Sequence, residues 1–413
     1  MQQPTLSVDE QEAVLSKARE LSALFREIGP KYDEMNCFAA ESIEAFKASG
    51  LAGLTIPKEY GGLGGDILTT SKVVTEMSRG DSAIALAYNM HYITVALLSK
   101  PMSDDQKQRW LPRIAAGEIV FGPFSEARAG FSGLADTTAV PQPEGGWRLY
   151  GTKTWGTLSE AADLIGVNAT ISDADGNPPT DFGERITNET VFITEFEVDA
   201  DGRGDGVRIE RTWNALGMHA TGTHVIHFDG FYIPEDGKVS VWRLGAFSAI
   251  EWAGVLFASI YYGMQLRILE EVRAALAHKT LGATFGATIA EETRVASIGH
   301  IVDGVGEIAA RAELCRRVLY QTCDDILSGY AEQQWPLEMR MPYLGLAKTF
   351  TSDTVTWAAK KAMSLVGGSS FRHGTIFERL YRDSMASVFQ PLTADQTYTY
   401  LGERLLQPEQ VTS

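Results

Sequence analysis

The run Trp155-Gly-Thr157 places an indole and a hydroxyl two residues apart, and Phe124-Ser125 offers a second such pair earlier in the chain. An indole can stack on a flat apolar ring or meet it edge-on, and hydroxyls can bond the nitrogens and carbonyls of a ring's polar edge. Phe124, Ser125, Trp155 and Thr157 could therefore hold a flat heteroaromatic ligand. The same four residues also suit a sheet aromatic in a core beside two surface hydroxyls. The loop IPKEYGGLGGD, residues 56–66, carries Pro57 and four glycines. It is either a plain connector or a place where backbone can approach a ligand closely. His91, in LAYNMHY, lies on an apolar helical run, where a lone histidine is more often a satisfied core group than a ligand contact. His219, His224 and His227 surround a turn with no carboxylate or cysteine at ligand spacing, so no metal site is expected.

Those groups need a scaffold, and the sequence changes texture twice. To about residue 120 it reads as helices. Ser7-Val-Asp-Glu10 and Ser103-Asp-Asp-Gln106 are capping boxes, each followed by apolar residues at helical spacing. From 121 to 235 the runs WRLYGTKTW, ETVFITEFEV, GVRIERTW and THVIHFDGFYIP cluster β-branched and aromatic residues between turn formers. The polar stretch 172–189 reads as a surface loop. Beyond 236, Ile298, Ile301, Val302, Val305, Ile308, Ala312, Cys315, Leu319, Cys323 and Ile326 trace one apolar helical stripe. Further helical runs fall near 251–278, 343–366 and 392–405, which suggests an antiparallel four-helix bundle. The expected class is α+β: helical domain 1–120, β-barrel or sandwich domain 121–235, helical bundle 236–413.

A chain of 413 residues, 44% hydrophobic and 22% charged, is expected to build more than one domain around a large interior. Its net charge of −17 argues against nucleic acid or an anionic membrane surface as partner. No run reads as a signal peptide or a membrane span, and Cys37, Cys315 and Cys323 show no metal spacing. Cys315 and Cys323 read as core residues, and a reducing cytoplasmic setting is expected.

This order of domains, with five local motifs, resembles the acyl-CoA dehydrogenase superfamily of flavoproteins. IPKEYGGLGG is similar to the family's P-x-x-Y-G-G-x-G loop, and FGPFSEARAGFSG to its T-E-P-x-x-G-S-D segment. YGTKTWGTLS resembles G-x-K-x-W-I-T-N, and LGMHATGTHVIHFDGFYIP resembles G-x-R-x-S-x-T-x-x-x-F-x-x-V-x-V-P. LVGGSSF resembles the Q-x-x-G-G-x-G turn. The resemblance implies FAD, or FMN, against Phe124, Ser125, Trp155 and Thr157. It places His278, Thr280, Ser364, Gly367 and Gly368 near the cofactor's phosphate and adenosine half, in part from a neighbouring subunit of a homotetramer. Ser132 stands at a substrate contact, with His91 as a further candidate, although Gly133 replaces the motif's Asp.

Three positions depart from the pattern. The R-x-x-F-G segment reads His278-Lys279-Thr280-Leu281-Gly282, and the motif's Gln is Ser364. The third departure concerns chemistry. Arg382-Asp383 is kept, but Pro391 falls where the family places its catalytic Glu, and 384–394 contains no Asp, Glu or His. Glu251, at the start of a helix, and Asp395, one turn after Pro391, are the candidate replacements. The resemblance thus implies dehydrogenation of an acyl thioester on coenzyme A or an acyl carrier protein, with an electron acceptor. A monooxygenase of the same fold, supplied with reduced flavin by a reductase, is the alternative, and it needs no α-proton base.

Overall fold

The computed structural model describes residues 6–128, 134–281, 293–334, 337–391 and 393–406. The first helical region holds α1 (Val8–Met35), α2 (Ser42–Ser49), α3 (Ile67–Gly80), α4 (Ser82–Ser99) and α5 (Asp104–Ala115). Both expected capping boxes form. The Glu10 N–H donates to the Ser7 hydroxyl and the Gln106 N–H to the Ser103 hydroxyl, while the Glu10 and Gln106 side chains accept in return from the Ser7 and Ser103 N–H groups. The Asp66 and Asp81 side chains cap α3 and α4, accepting from the Thr69 N–H and from the Ala83 and Ile84 N–H groups, which leaves few orphan amides at these buried helix starts.

Helix α4 is apolar all round. Its 18 residues have a mean hydropathy of 1.2, enough by length and composition to cross a membrane, a feature the sequence pattern did not show as a continuous apolar run. Some 89% of it is buried, and α3 and the later helix α7 pack around it, so it is a core helix.

The middle region is one mixed sheet of nine strands: β1 (Val120–Phe121), β2 (Thr138–Pro141), β3 (Trp147–Gly156), β4 (Leu164–Ile171), β5 (Glu189–Glu195), β6 (Arg203–Gly204), β7 (Val207–Glu210), β8 (His224–Ile233) and β9 (Lys238–Val241). The order is β6-β7-β8-β3-β2-β4-β5-β9, with β1 beside β4. Pairing is antiparallel except for β1 with β4 and β2 with β4. β4 is buried along nearly its whole length, as a strand covered on both faces must be, while β7 alternates buried and exposed. Two expectations change here. The sheet runs to Val241, past the expected boundary at 235, because β9 pairs with β5. The polar loop contains a short helix, α6 (Phe182–Asn188), started by the Asp181 side chain accepting from the Glu184 N–H.

The second helical region holds α7 (Trp242–Leu276), α8 (Gly299–Leu327), α9 (Tyr330–Gln334), α10 (Leu337–Val366), α11 (Ile376–Ser384) and α12 (Ala394–Leu406). The two-stranded ribbon β10 (Thr280–Leu281) and β11 (Thr293–Arg294) follows α7. α7 packs against α10, α8, α3 and α4, so a single core runs through both helical regions. On α8 the buried face is rotated slightly from the expected stripe. Val302 is exposed, whereas Gly304 and Thr322 are buried, because Gly304 lets Leu365 of α10 approach closely.

Candidate functional site

A cavity of about 500 Å³ opens where the sheet meets both helical regions. From α4 come Leu86, Met90 and Ile93, spaced to share one helix face, and from α7 come Ala253 and Phe257, one turn apart. The sheet side supplies Gly122, Phe124, Ser125, Trp155 and Thr157. The remaining wall is the segment around 213–223 and the stretch Met385–Pro391 after α11.

Ser125 is held from beneath. The buried Lys153 ammonium donates to Glu126 at 2.6 Å and to the Asn168 side-chain oxygen at 2.9 Å, and Glu126 also accepts from the backbone of Asp136 and Thr137. Burial would raise the Glu126 carboxyl, but Lys153 and Thr137 hold it below its ordinary value. The Thr154 N–H then donates to the Ser125 carbonyl at 2.9 Å, tying the 122–126 segment to β3. Gly122 leaves no room for a side chain, since a Cβ there would lie 2.4 Å from Phe124 and from Thr94.

Trp155 packs edge-on against Trp213, with centroids 5.7 Å apart, and tilts towards Phe389 at 6.1 Å. Thr157 joins a hydroxyl chain, 2.8 Å to Thr223 and from there 2.8 Å to Thr221. The single Thr221 hydrogen goes to the Met218 carbonyl at 2.9 Å. Thr223 must therefore donate to Thr221, and Thr157 to Thr223. The Thr157 oxygen is left presenting lone pairs, so it is an acceptor on the cavity wall.

The loop Leu216–Met218 is fastened to the end of α11. Arg382 donates to the Leu216 carbonyl and to both oxygens of Asp33, and the Met218 N–H donates to Asp383 at 2.6 Å. Met218 has φ 56°, and a Cβ on Gly217 would lie 2.6 Å from the Arg382 carbonyl carbon. Burial pushes the Asp383 carboxyl up to about 6, against the pull of Arg379. The Arg382-Asp383 pair thus shapes this wall.

The structure gathers Phe124, Ser125, Trp155 and Thr157 on one cavity. His278, Thr280, Ser364 and Gly368 are exposed elsewhere. Lys279 donates to the Val366 carbonyl and draws the 278–280 segment to the Gly367 turn, where Gly367 has φ 86°. Ser132 lies outside the described residues. His91 is not a ligand contact: it is fully buried, its Nε2 pairs with the Ala52 carbonyl at 2.9 Å and its Nδ1 accepts from the Val120 N–H at 3.0 Å. Burial pushes its ring down to about 4, so it stays neutral.

The two candidate bases sit apart from the cavity. Glu251 is two residues before Ala253, roughly 200° around α7, and it is not part of the lining. Burial raises its carboxyl, with Lys100 and Arg340 opposing and Glu332 reinforcing. Asp395 is exposed in the first turn of α12, where a carboxylate suits the helix dipole. Pro391 does line the cavity, and among the described residues its only ionisable lining side chain is Arg382. Sequence reasoning missed Trp213, Thr221, Thr223, Phe389 and Gln390. Thr221 and Thr223 lie inside a motif already singled out, and their spacing of two was the available signal.

Comparison with known proteins gives a consistent frame. Residues 8–118 match the acyl-CoA dehydrogenase N-terminal domain family, and residues 264–389 the acyl-CoA dehydrogenase C-terminal domain family. The cyclohex-1-ene-1-carbonyl-CoA dehydrogenase of Syntrophus aciditrophicus is 26% identical over 412 residues, covering 97% of this chain and 91% of that one. Among solved structures, the FMN-bound dibenzothiophene monooxygenase TdsC from Paenibacillus superposes with a TM-score of 0.82 at 21% identity, over 95% of this chain and 97% of that one. Butyryl-CoA dehydrogenase from Megasphaera elsdenii also gives 0.82, at 19% identity, over 98% and 100%.

Proposed function

Because the chain belongs to the acyl-CoA dehydrogenase superfamily, we propose that it is a flavin-dependent oxygenase of this fold, acting on a small, largely apolar ring compound. Solved structures of this fold include a dehydrogenase and a monooxygenase, so the fold does not choose between the reactions. One observation carries the choice. Pro391 occupies the wall where a base would act, and among the described residues no carboxylate or imidazole lines the cavity. Removal of an α-proton requires a base within hydrogen-bond reach of the carbon acid. Oxygen transfer to an electron-rich ring does not.

The residues present fit a flavin ring system. The cavity volume lies within the usual range of ligand sites, Trp155 and Phe124 offer flat apolar contact, and the Ser125 and Thr157 hydroxyls meet a polar edge. When bound, a flavin supplies two-electron redox chemistry and, once reduced, activation of dioxygen. Thr157 is pre-set as an acceptor by Thr223 and would hold a ring N–H, which a reduced flavin carries. Trp155, Trp213 and Phe389 form the apolar wall, and Arg382, paired with Asp33 and Glu378, holds the Leu216 side of it in place. Lys279 and His278 remain as donors for a phosphate, without the paired fork of an arginine. In the overall exchange, one oxygen atom enters the product, the other leaves as water, and two electrons come from the reduced flavin. A flavin reductase is the matching electron donor.

Dehydrogenation is the second reading, and the observation favouring it is the raised carboxyl of Glu251, which lies in the third turn of α7 because that helix begins at Trp242, earlier than the sequence suggested. Anaerobic mixing of the flavin-loaded protein with acyl-CoA thioesters separates the two. The oxygenase reading expects no bleaching, and expects labelled oxygen in a ring substrate when reduced flavin and labelled dioxygen are given. Bleaching by a thioester overturns it. Trp155→Ala is expected to lower flavin affinity roughly tenfold, measured as flavin retained after ultrafiltration.

A further inference from the structure

We infer that Gln390 is a fixed hydrogen-bond donor of the cavity, binding an acceptor oxygen such as a ring carbonyl on an otherwise apolar ligand. The inference rests on reading the cavity as the substrate site. Gln390 stands next to Pro391 in the lining, and its orientation is decided by a residue behind it. Tyr261, fully buried on α7, donates its hydroxyl to the Gln390 side-chain oxygen. Burial pushes the Tyr261 phenol well up, so it stays protonated. The reverse amide orientation would set Nε2 against the phenol oxygen, and the phenolic hydrogen would then have no acceptor among the described residues. A buried donor left unpaired is costly, so the amide oxygen faces Tyr261. Nε2, with two hydrogens, is left for the cavity.

The backbone is fixed as firmly. The buried Lys348 ammonium donates to the Ser387 carbonyl at 2.7 Å and to the Gln390 carbonyl at 2.6 Å. The Ser352 hydroxyl adds a bond to Ser387 at 3.3 Å. Other polar groups in the lining are committed: Arg382 to Asp33, Glu378 and Leu216, and the threonines to one another. Apart from the Ser125 hydroxyl and the Trp155 indole N–H on the sheet side, Gln390 is the side-chain donor that the described residues leave for a ligand. An amide there gives a hydrogen bond where a carboxylate would take a proton.

The test is calorimetric titration of flavin-loaded protein with 1-indanone and with indane, two probes that differ by one carbonyl. Wild type is expected to bind the ketone about three- to tenfold more tightly, the range of one neutral hydrogen bond. Gln390→Leu should bind both probes alike, and its retained indane binding shows that the fold is intact. Tyr261→Phe should also lose the preference, although Gln390 is present, because the amide is no longer aimed. Equal binding of the two probes by wild type, or a preference that survives in Gln390→Leu, overturns the inference. Equal wild-type binding together with lower flavin content in Gln390→Leu would assign the amide to the flavin and overturn it as well. Bleaching by a thioester would sink the oxygenase reading, while the probe pair would still judge Gln390 independently.

Discussion

At Glu251 and His91, side-chain direction decides between chemistry and support. Glu251 is turned away from the Ala253–Phe257 face of α7, so Glu251→Gln is expected to change the rate of the proposed oxygenation by about twofold or less. Loss of a general base would cost about 10²–10⁴-fold, and rapid-mixing kinetics of the variant distinguish the two outcomes. His91 carries a different consequence. Its ring is pushed down to about 4 from 6.5, so between those values the folded protein binds fewer protons than the unfolded chain. The stability it contributes is complete above pH 6.5 and drains away as pH falls towards 4. Roughly 3 kcal/mol is at stake. His91→Gln, which can still donate to Ala52 and accept from Val120, should lack that acid loss. Urea denaturation of both proteins at pH 7, 5.5 and 4 checks it.

Among the elements, α5 shows how a helix start can also fix the relation of two domains. Gln106 completes the capping box at Ser103, and its amide donates to the carbonyls of Asp236 and Lys238 at 2.8 and 2.7 Å, where the sheet turns into β9. One buried side chain thus closes the helix and holds the edge of the sheet. Gln106→Ala removes the reciprocal cap and leaves two carbonyls without their donor. Its cost should be on the order of 2 kcal/mol by denaturant titration. The loop Leu216–Met218 is a second such junction, since its backbone is fixed by Arg382 and Asp383 of α11 while its other face lines the cavity.

For the whole molecule, the exposed apolar surface near the Gly367–Gly368 turn is the feature that a lone chain leaves unexplained. Phe371, which ends that turn, is 82% exposed. Large apolar groups so open to water are typical of surfaces that pair with another copy. Light scattering at micromolar concentration is therefore expected to give a dimer or tetramer. Phe371→Asp should shift it towards the monomer. An unchanged mass in the variant would move the interface elsewhere, and a monomeric wild type would remove it.

Much of this was legible in the sequence because it is local. Capping boxes and the β-branched runs of the middle region depend on neighbours a few residues away and appear where expected, and the 3.6-residue stripe of α8 does so apart from its slight rotation. The motif segments also carried the family, and Phe124, Ser125, Trp155 and Thr157 meet on one cavity. What the sequence left open depends on partners far along the chain. Val241 belongs to the sheet because β9 pairs with β5, and His91 is inert because Ala52 and Val120 take both its nitrogens. The direction of Glu251 and the aim of Gln390 follow from how α7 packs, with Tyr261 of that helix reaching across 129 positions to Gln390. Spacing fixes which residues share a helix face. Only the tertiary packing settles whether that face meets the cavity, and here it turns the carboxylates away and brings an amide in.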